Sequence, residues 1–239
     1  MSFMPLTGLW RSASLRDRSY GWRRRLSQIA AFCSAALLAA TVISAAAAET
    51  PIHIVALGDS LTAGYGLAEQ DGFVPRLQAA LAAKGVAAEV ANAGVSGDTA
   101  ADGLARLDWS VPQGADAVIV ELGANDMLRG LRPEVTRATL ATILRRLTQR
   151  RLAVLLCGMR AAPNLGAEYD QAFDRIYPDL AAEYGVILYP FFLDGVAADL
   201  RLTQPDGLHP NAAGVAVIVD RILPKVQELV ARVRAQPRS

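Results

Sequence analysis

Apolar and polar positions follow two rhythms along this chain. Short apolar runs at Ile52–Leu57, Ala117–Leu122, Leu152–Cys157 and Val186–Phe192 read as strands, those at Ala117–Leu122 and Leu152–Cys157 as buried ones, and Val86–Ala91 is a weaker strand candidate. Between them, apolar residues recur at helical spacing. Phe73–Lys84 is apolar at 73, 74, 77, 80 and 81 and stops at Gly85, a natural C-cap. Asp98–Leu107 follows, with Asp98 or Thr99 able to cap it, and then Pro133–Arg151 with proline in its first turn. Glu168–Tyr184 ends at Gly185, and a last helix runs from about Asn211 to Arg234, where Pro224 is expected to kink it or split it in two. Five β–α alternations predict an α/β fold: a three-layer α/β/α sandwich around a five-stranded parallel sheet. Ligands of such sheets bind at the carboxyl ends of the strands.

Composition sharpens this picture. The 239 residues are 52% hydrophobic and 20% charged, ample for a core. The net charge of +1 hides an asymmetry, because Arg11, Arg16, Arg18, Arg23, Arg24 and Arg25 face only Asp17 in the first 48 residues. The remainder holds 18 basic and 22 acidic residues, a net charge of −4. A mildly acidic body argues against nucleic acid as a partner. Residues 1–48 read as a secretory leader: Arg23–Arg25, the apolar stretch Ile29–Ile43, then small residues before Glu49. Cleavage after Ala48 leaves a domain over 49–239 in the periplasm or medium, with no stable membrane insertion. Ile29–Ala48 would also just span a bilayer as an uncleaved anchor, but its alanine-rich composition and small-residue exit favour processing. Cys33 is lost with the leader, and Cys157, inside an apolar run, reads as a buried small hydrophobe. Two cysteines and two histidines exclude a disulfide scaffold and a Cys-based zinc site.

Candidate chemistry gathers behind the predicted strands. Gly58-Asp59-Ser60-Leu61-Thr62-Ala63-Gly64-Tyr65-Gly66 follows the first and Asn92-Ala93-Gly94-Val95-Ser96-Gly97-Asp98-Thr99 the second. Gly123-Ala124-Asn125-Asp126 follows the third, and Asp206-Gly207-Leu208-His209-Pro210 lies beyond the fifth. Each segment alone is an ordinary turn composition. Four of them at the ligand-binding edge, carrying Ser, Gly, Asn, Asp and His, point to nucleophilic catalysis.

These motifs, in this order, resemble the SGNH (GDSL) hydrolases, most of all the bacterial periplasmic thioesterase/lysophospholipase/arylesterase branch. The likeness runs from Ile52 to the last helix. It implies a flavodoxin-like SGNH hydrolase fold with no cofactor and no metal. Ser60 matches the nucleophile, Asp206 and His209 the other triad members, and Ser60, Gly97 and Asn125 the oxyanion hole. Gly94 also follows the second strand and competes with Gly97, although the Ser-Gly-Asp-Thr context favours Gly97. The resemblance implies a serine esterase acting through an acyl-enzyme on carboxylic esters and thioesters. Its substrates are small-molecule or lipid esters: short to medium acyl thioesters, aryl esters and lysophospholipids. The alternative is an O-acetyl esterase of cell-envelope glycans. A monomer is expected.

The chemistry requires these residue types. A serine hydroxyl needs a base to take its proton, and His209 is placed to do so, whereas His53 begins the first strand and reads as structural. Asp206, three residues before His209, can hold the imidazole tautomer and stabilise the imidazolium. Glycine at 97 is expected to leave room for substrate. Asp59 is expected to hold neighbouring loops, Asp126 to cap the segment after it, and Glu121 to need a partner that the sequence does not name. Met127–Pro133, with Gly130, is by resemblance a loop that shapes acyl-chain preference. A metallophosphoesterase would recruit more histidines. A dinucleotide-binding module would need a G-x-G-x-x-G pattern that Gly58, Gly64 and Gly66 do not form.

Overall fold

The computed structural model describes residues 50–236. The leader reading of residues 1–48, with Cys33, lies outside the described residues. Five parallel strands form one sheet: β1 (Ile52–Gly58), β2 (Ala88–Gly94), β3 (Ala117–Glu121), β4 (Ala153–Cys157) and β5 (Ile187–Tyr189), in the order β2-β1-β3-β4-β5. Every residue of β3 and β4 is buried, as continuous apolar runs require when helices cover both faces. The order reverses around β1, which pairs with both β2 and β3, so the crevice expected in such sheets opens beyond these three strand ends.

The helices are α1 (Ser60–Ala63), α2 (Phe73–Ala83), α3 (Ala100–Ala105), α4 (Leu107–Ser110), α5 (Ala124–Leu128), α6 (Pro133–Gln149), α7 (Ala167–Asp174), α8 (Ile176–Tyr184) and α9 (Ala212–Ala235). α2 and α9 pack together on one face of the sheet, and α3, α6 and α8 on the other. The apolar stripe of α2 buries Phe73, Val74, Leu77 and Leu81. Each such side chain, fully removed from water, contributes about 1.5–3 kcal/mol. No helix among the described residues is long and apolar enough to cross a membrane.

Two helices differ from the sequence reading. Glu168–Tyr184 is broken at Arg175 into α7 and α8. Pro178 has no N–H to offer the Asp174 carbonyl, so the ladder ends one turn before it. Pro224 has the opposite outcome, for α9 runs unbroken through it. The buried stripe of Val219, Ile222, Leu223 and Val226 holds the turns on both sides together. Cys157 is buried and free, as expected.

Candidate active site

Ser60 is the first residue of α1, directly after β1. Asp59 is the N-cap, accepting from the Leu61 N–H at 3.0 Å. The exit of β2 lies against this short helix, where a Cβ on Gly94 would stand 2.3 Å from Ala63 N, so only glycine lets the two segments approach.

The last site segment is built locally. Asp206 Oδ1 accepts from Leu208 N at 2.9 Å and His209 N at 3.0 Å, folding Asp206–His209 into a tight turn. Asp206 Oδ2 then lies 2.6 Å from His209 Nδ1. The other ring nitrogen, Nε2, is 2.9 Å from Ser60 Oγ, a contact across 149 positions of chain. Hydrogen bonding to His209 and to two backbone N–H groups lowers the Asp206 carboxyl to about 2. Asn211 caps α9 through Ala213 N and Gly214 N, and its amide nitrogen donates to the Arg201 and Thr203 carbonyls.

The three sequence candidates for oxyanion donors, Ser60, Gly97 and Asn125, differ in their surroundings. Among the described residues, neither the Ser60 nor the Gly97 N–H donates to a backbone or side-chain acceptor. Gly94, the competing glycine, already gives its N–H to Asn92 Oδ1 at 2.9 Å. Gly97 has φ +89°, and a Cβ there would meet only Arg129 Nη2, at 3.9 Å. The protein therefore requires glycine at 97 for its left-handed backbone, and no neighbouring group would crowd a side chain there. Asn125 donates from Nδ2 to Asp59 Oδ2 and to the Asp98 carbonyl, each at 3.0 Å.

Several supporting residues were not foreseen. Arg106 is buried, with its Nε 2.6 Å from Asp98 Oδ2. Its Nη1 donates to the Ala93 carbonyl at 2.8 Å and to Ser110 Oγ at 3.0 Å, and its Nη2 to the Gly58 carbonyl at 2.8 Å. One guanidinium thus ties the exits of β1 and β2 to the loop that carries Gly97. The available signal was an arginine at the junction of α3 and α4, between the buried Gly103 and Leu107. Tyr65 lies against His209 with ring centroids 4.7 Å apart, and Gln204 links the two loops through the Tyr65 and Pro210 carbonyls. Arg129 Nη2 donates to the Gly97 carbonyl at 2.7 Å.

The lesser candidates divide. His53 is half-exposed at the opposite end of β1, 3.3 Å from Glu89. Asp126 does not cap its own segment. It accepts from Ala100 N at the start of α3 and from Thr136 Oγ1 in α6, joining three elements. Glu121 finds its partners in Thr62 and Asp59. Of the loop after Asn125, Leu131 is tied down by the Tyr169 hydroxyl at 2.8 Å.

Comparison with known proteins places this geometry. Residues 56–217 match the model of the GDSL-like lipase/acylhydrolase family, a span that includes all four site segments. The chain belongs to this family. It is 39% identical over 186 residues to Esterase TesA of Pseudomonas aeruginosa, covering 77% of this chain and 91% of that protein. It is 40% identical over 187 residues to thioesterase 1/protease 1/lysophospholipase L1 of Escherichia coli K12, covering 78% of this chain and 87% of that one. Among solved structures, AlinE4, an SGNH-hydrolase family esterase, superposes with a TM-score of 0.64 at 46% identity, covering 75% of this chain and 97% of that one. Membership of the GDSL family makes the protein an ester hydrolase.

Proposed function

We propose that Ser60, His209 and Asp206 are the catalytic triad of this GDSL hydrolase. The observation that carries the proposal is the unbroken line from Ser60 Oγ through both imidazole nitrogens to Asp206 Oδ2, at 2.9 and 2.6 Å. Ser60 Oγ attacks the ester or thioester carbonyl while His209 Nε2 takes its proton. Asp206 accepts from Nδ1–H, fixing the tautomer and stabilising the imidazolium. The oxyanion of the tetrahedral intermediate is received by the Ser60 and Gly97 N–H groups and by Asn125 Nδ2. Its collapse expels the alcohol or thiol, which receives the proton from His209. A water activated by the same imidazole then releases the acid and frees Ser60. No metal or cofactor takes part in this scheme.

The proposed substrates are small-molecule or lipid esters: short to medium acyl thioesters, aryl esters and lysophospholipids. The names of the relatives support this range, as do exposed apolar side chains on the site segments. Tyr65, Val95, Leu128 and Leu208, each 41–54% exposed, stand within a few residues of Ser60, Gly97, Asn125 and His209 in the chain. The proposed form is a monomer of residues 49–239, released into the periplasm or medium after cleavage behind Ala48.

The deciding experiment is covalent labelling with a serine-directed organophosphonate. Mass spectrometry is expected to place the adduct on the Ser60 peptide, and Ser60→Ala is expected to be folded and inactive. Labelling elsewhere, or turnover by Ser60→Ala, would refute the triad.

A further inference from the structure

Glu121 is fully buried at the carboxyl end of β3 and has no role in the scheme above. Its Oε2 accepts from the Thr62 hydroxyl at 2.7 Å and from the Asp59 N–H at 3.3 Å. These two residues bracket Ser60 and Leu61. Oε1 has no hydrogen-bond partner among the described residues. No Lys, Arg or His forms an ion pair with Glu121 among them either. Asp59, equally buried, has one oxygen on Leu61 N and the other on Asn125 Nδ2.

We propose that Glu121 is a positioning residue for the ester-hydrolysing site, wedged between Asp59 and Thr62 so that it fixes the turn carrying Ser60 and, through Asp59, the Asn125 amide. The proposal rests on Ser60 as nucleophile and Asn125 as oxyanion donor.

Glu121 can fill this place only as the neutral acid. An ionised carboxylate with one oxygen unpartnered and no cation beside it would carry an uncompensated desolvation cost. Burial pushes the Glu121 carboxyl well above the usual range, and the Asp59 charge beside it pushes it further. Asp59 is raised to about 6, chiefly by burial, and is held down by its hydrogen bonds and by His209. Burial thus disfavours charge on both members of the pair, and the charge of each disfavours ionisation of the other. The other titratable groups facing the pair are Cys157 on β4 and Tyr177 on α8, both held neutral by burial.

Two replacements test it on the mature enzyme. Glu121→Gln keeps the shape, the acceptor and a donor while removing ionisation, and kcat is expected to stay within about threefold of the natural enzyme. Glu121→Leu fills the space without polar atoms. Its kcat is expected to fall about tenfold or more with KM within about twofold, because orientation and not binding is lost. Asp59 would also lose a contact that favours its charge, so the acid limb of kcat/KM is expected to move to higher pH in Glu121→Leu. A natural kcat in Glu121→Leu, an equal loss in Glu121→Gln, or a loss confined to KM would overturn the proposal. Should Glu121→Leu fail to fold, Thr62→Val removes the hydroxyl on Oε2 at constant shape. A fall of about threefold or more in kcat at constant KM supports the role, and an unchanged kcat overturns it. Ser60→Ala in the same assay separates the two proposals, since activity there would refute the nucleophile whatever the Glu121 variants do.

Discussion

Asn125 donates to Asp59 Oδ2 and to the Asp98 carbonyl, each at 3.0 Å, so both hydrogens of its amide are engaged before substrate arrives. An oxyanion entering the site must share one of these hydrogens or draw it away. The charge that develops in the transition state favours that exchange, whereas the neutral ground-state carbonyl does not. Asn125→Ala is therefore expected to lower kcat by roughly 10²–10³-fold with KM nearly constant. Asn125→Asp should be at least as damaging, because it adds a negative charge beside Asp59 and where the oxyanion forms. Steady-state kinetics on an aryl ester measure both. An effect on KM alone, or an unfolded Asn125→Ala protein, would make Asn125 a turn residue.

Arg106 tests how far the loops depend on one buried cation. Arg106→Ala leaves the Asp98 carboxylate and the Gly58 and Ala93 carbonyls without these donors. Removing one partner of such a buried pair costs about 3–5 kcal/mol. Arg106→Lys should recover only part, since a single ammonium cannot reproduce the planar fork. Urea unfolding measures the loss, and a cost below about 1 kcal/mol would show that the network is not a support.

Activity and stability should part company on mild acidification. Asp59 and Glu121 bind protons more tightly in the fold than in the unfolded chain. On account of Asp59 stability rises as pH falls from about 6 towards its ordinary value of 3.8, and Glu121 contributes with the same sign. Asp206 has the opposite sign. Its contribution is present above the unfolded value and is lost only as pH falls through about 2. The thermal midpoint at pH 5 is thus expected to be no lower than at pH 7, while kcat/KM falls. Protonated Asp59 is a weaker acceptor and holds the Asn125 amide less firmly. Parallel loss of both would contradict this account.

Exhaustive EDTA treatment should leave turnover intact, because every proposed step is assigned to protein groups. Loss on chelation with rescue by a divalent ion would require a different mechanism.

Export can be read from the mature N-terminus. Expression of the full chain in a Gram-negative host is expected to yield a periplasmic enzyme that begins at Glu49. A full-length, membrane-bound product would identify Ile29–Ala48 as an anchor.

Much of this protein was legible in its residues, for a physical reason. Burial on both faces demands the continuous apolar runs of β3 and β4, so these strands announce themselves, whereas β2, at the sheet edge and largely unburied, runs on to Gly94 beyond its apolar signal. Ser60, Gly97 and Asn125 fall just beyond the carboxyl ends of β1, β2 and β3. The Asp206–His209 contact is equally legible, because three residues of turn suffice to make it. Other features depend on partners far away in the chain. Periodicity reports that a position is buried and not what it meets, so the partners of Glu121 and the three loops joined by Arg106 had no sequence signal beyond a charge on an apolar face. The same limit explains Asp126, which accepts from Ala100 N and Thr136 Oγ1 and does not cap the segment after it, and Pro224, whose effect on α9 depends on the stripe packed around it. The glycine at 97 gained a reason that the sequence did not show, a left-handed backbone. Only folding brings Ser60 Oγ within 2.9 Å of a ring 149 positions away, because that distance is set by how α9 and its preceding turn pack against the sheet.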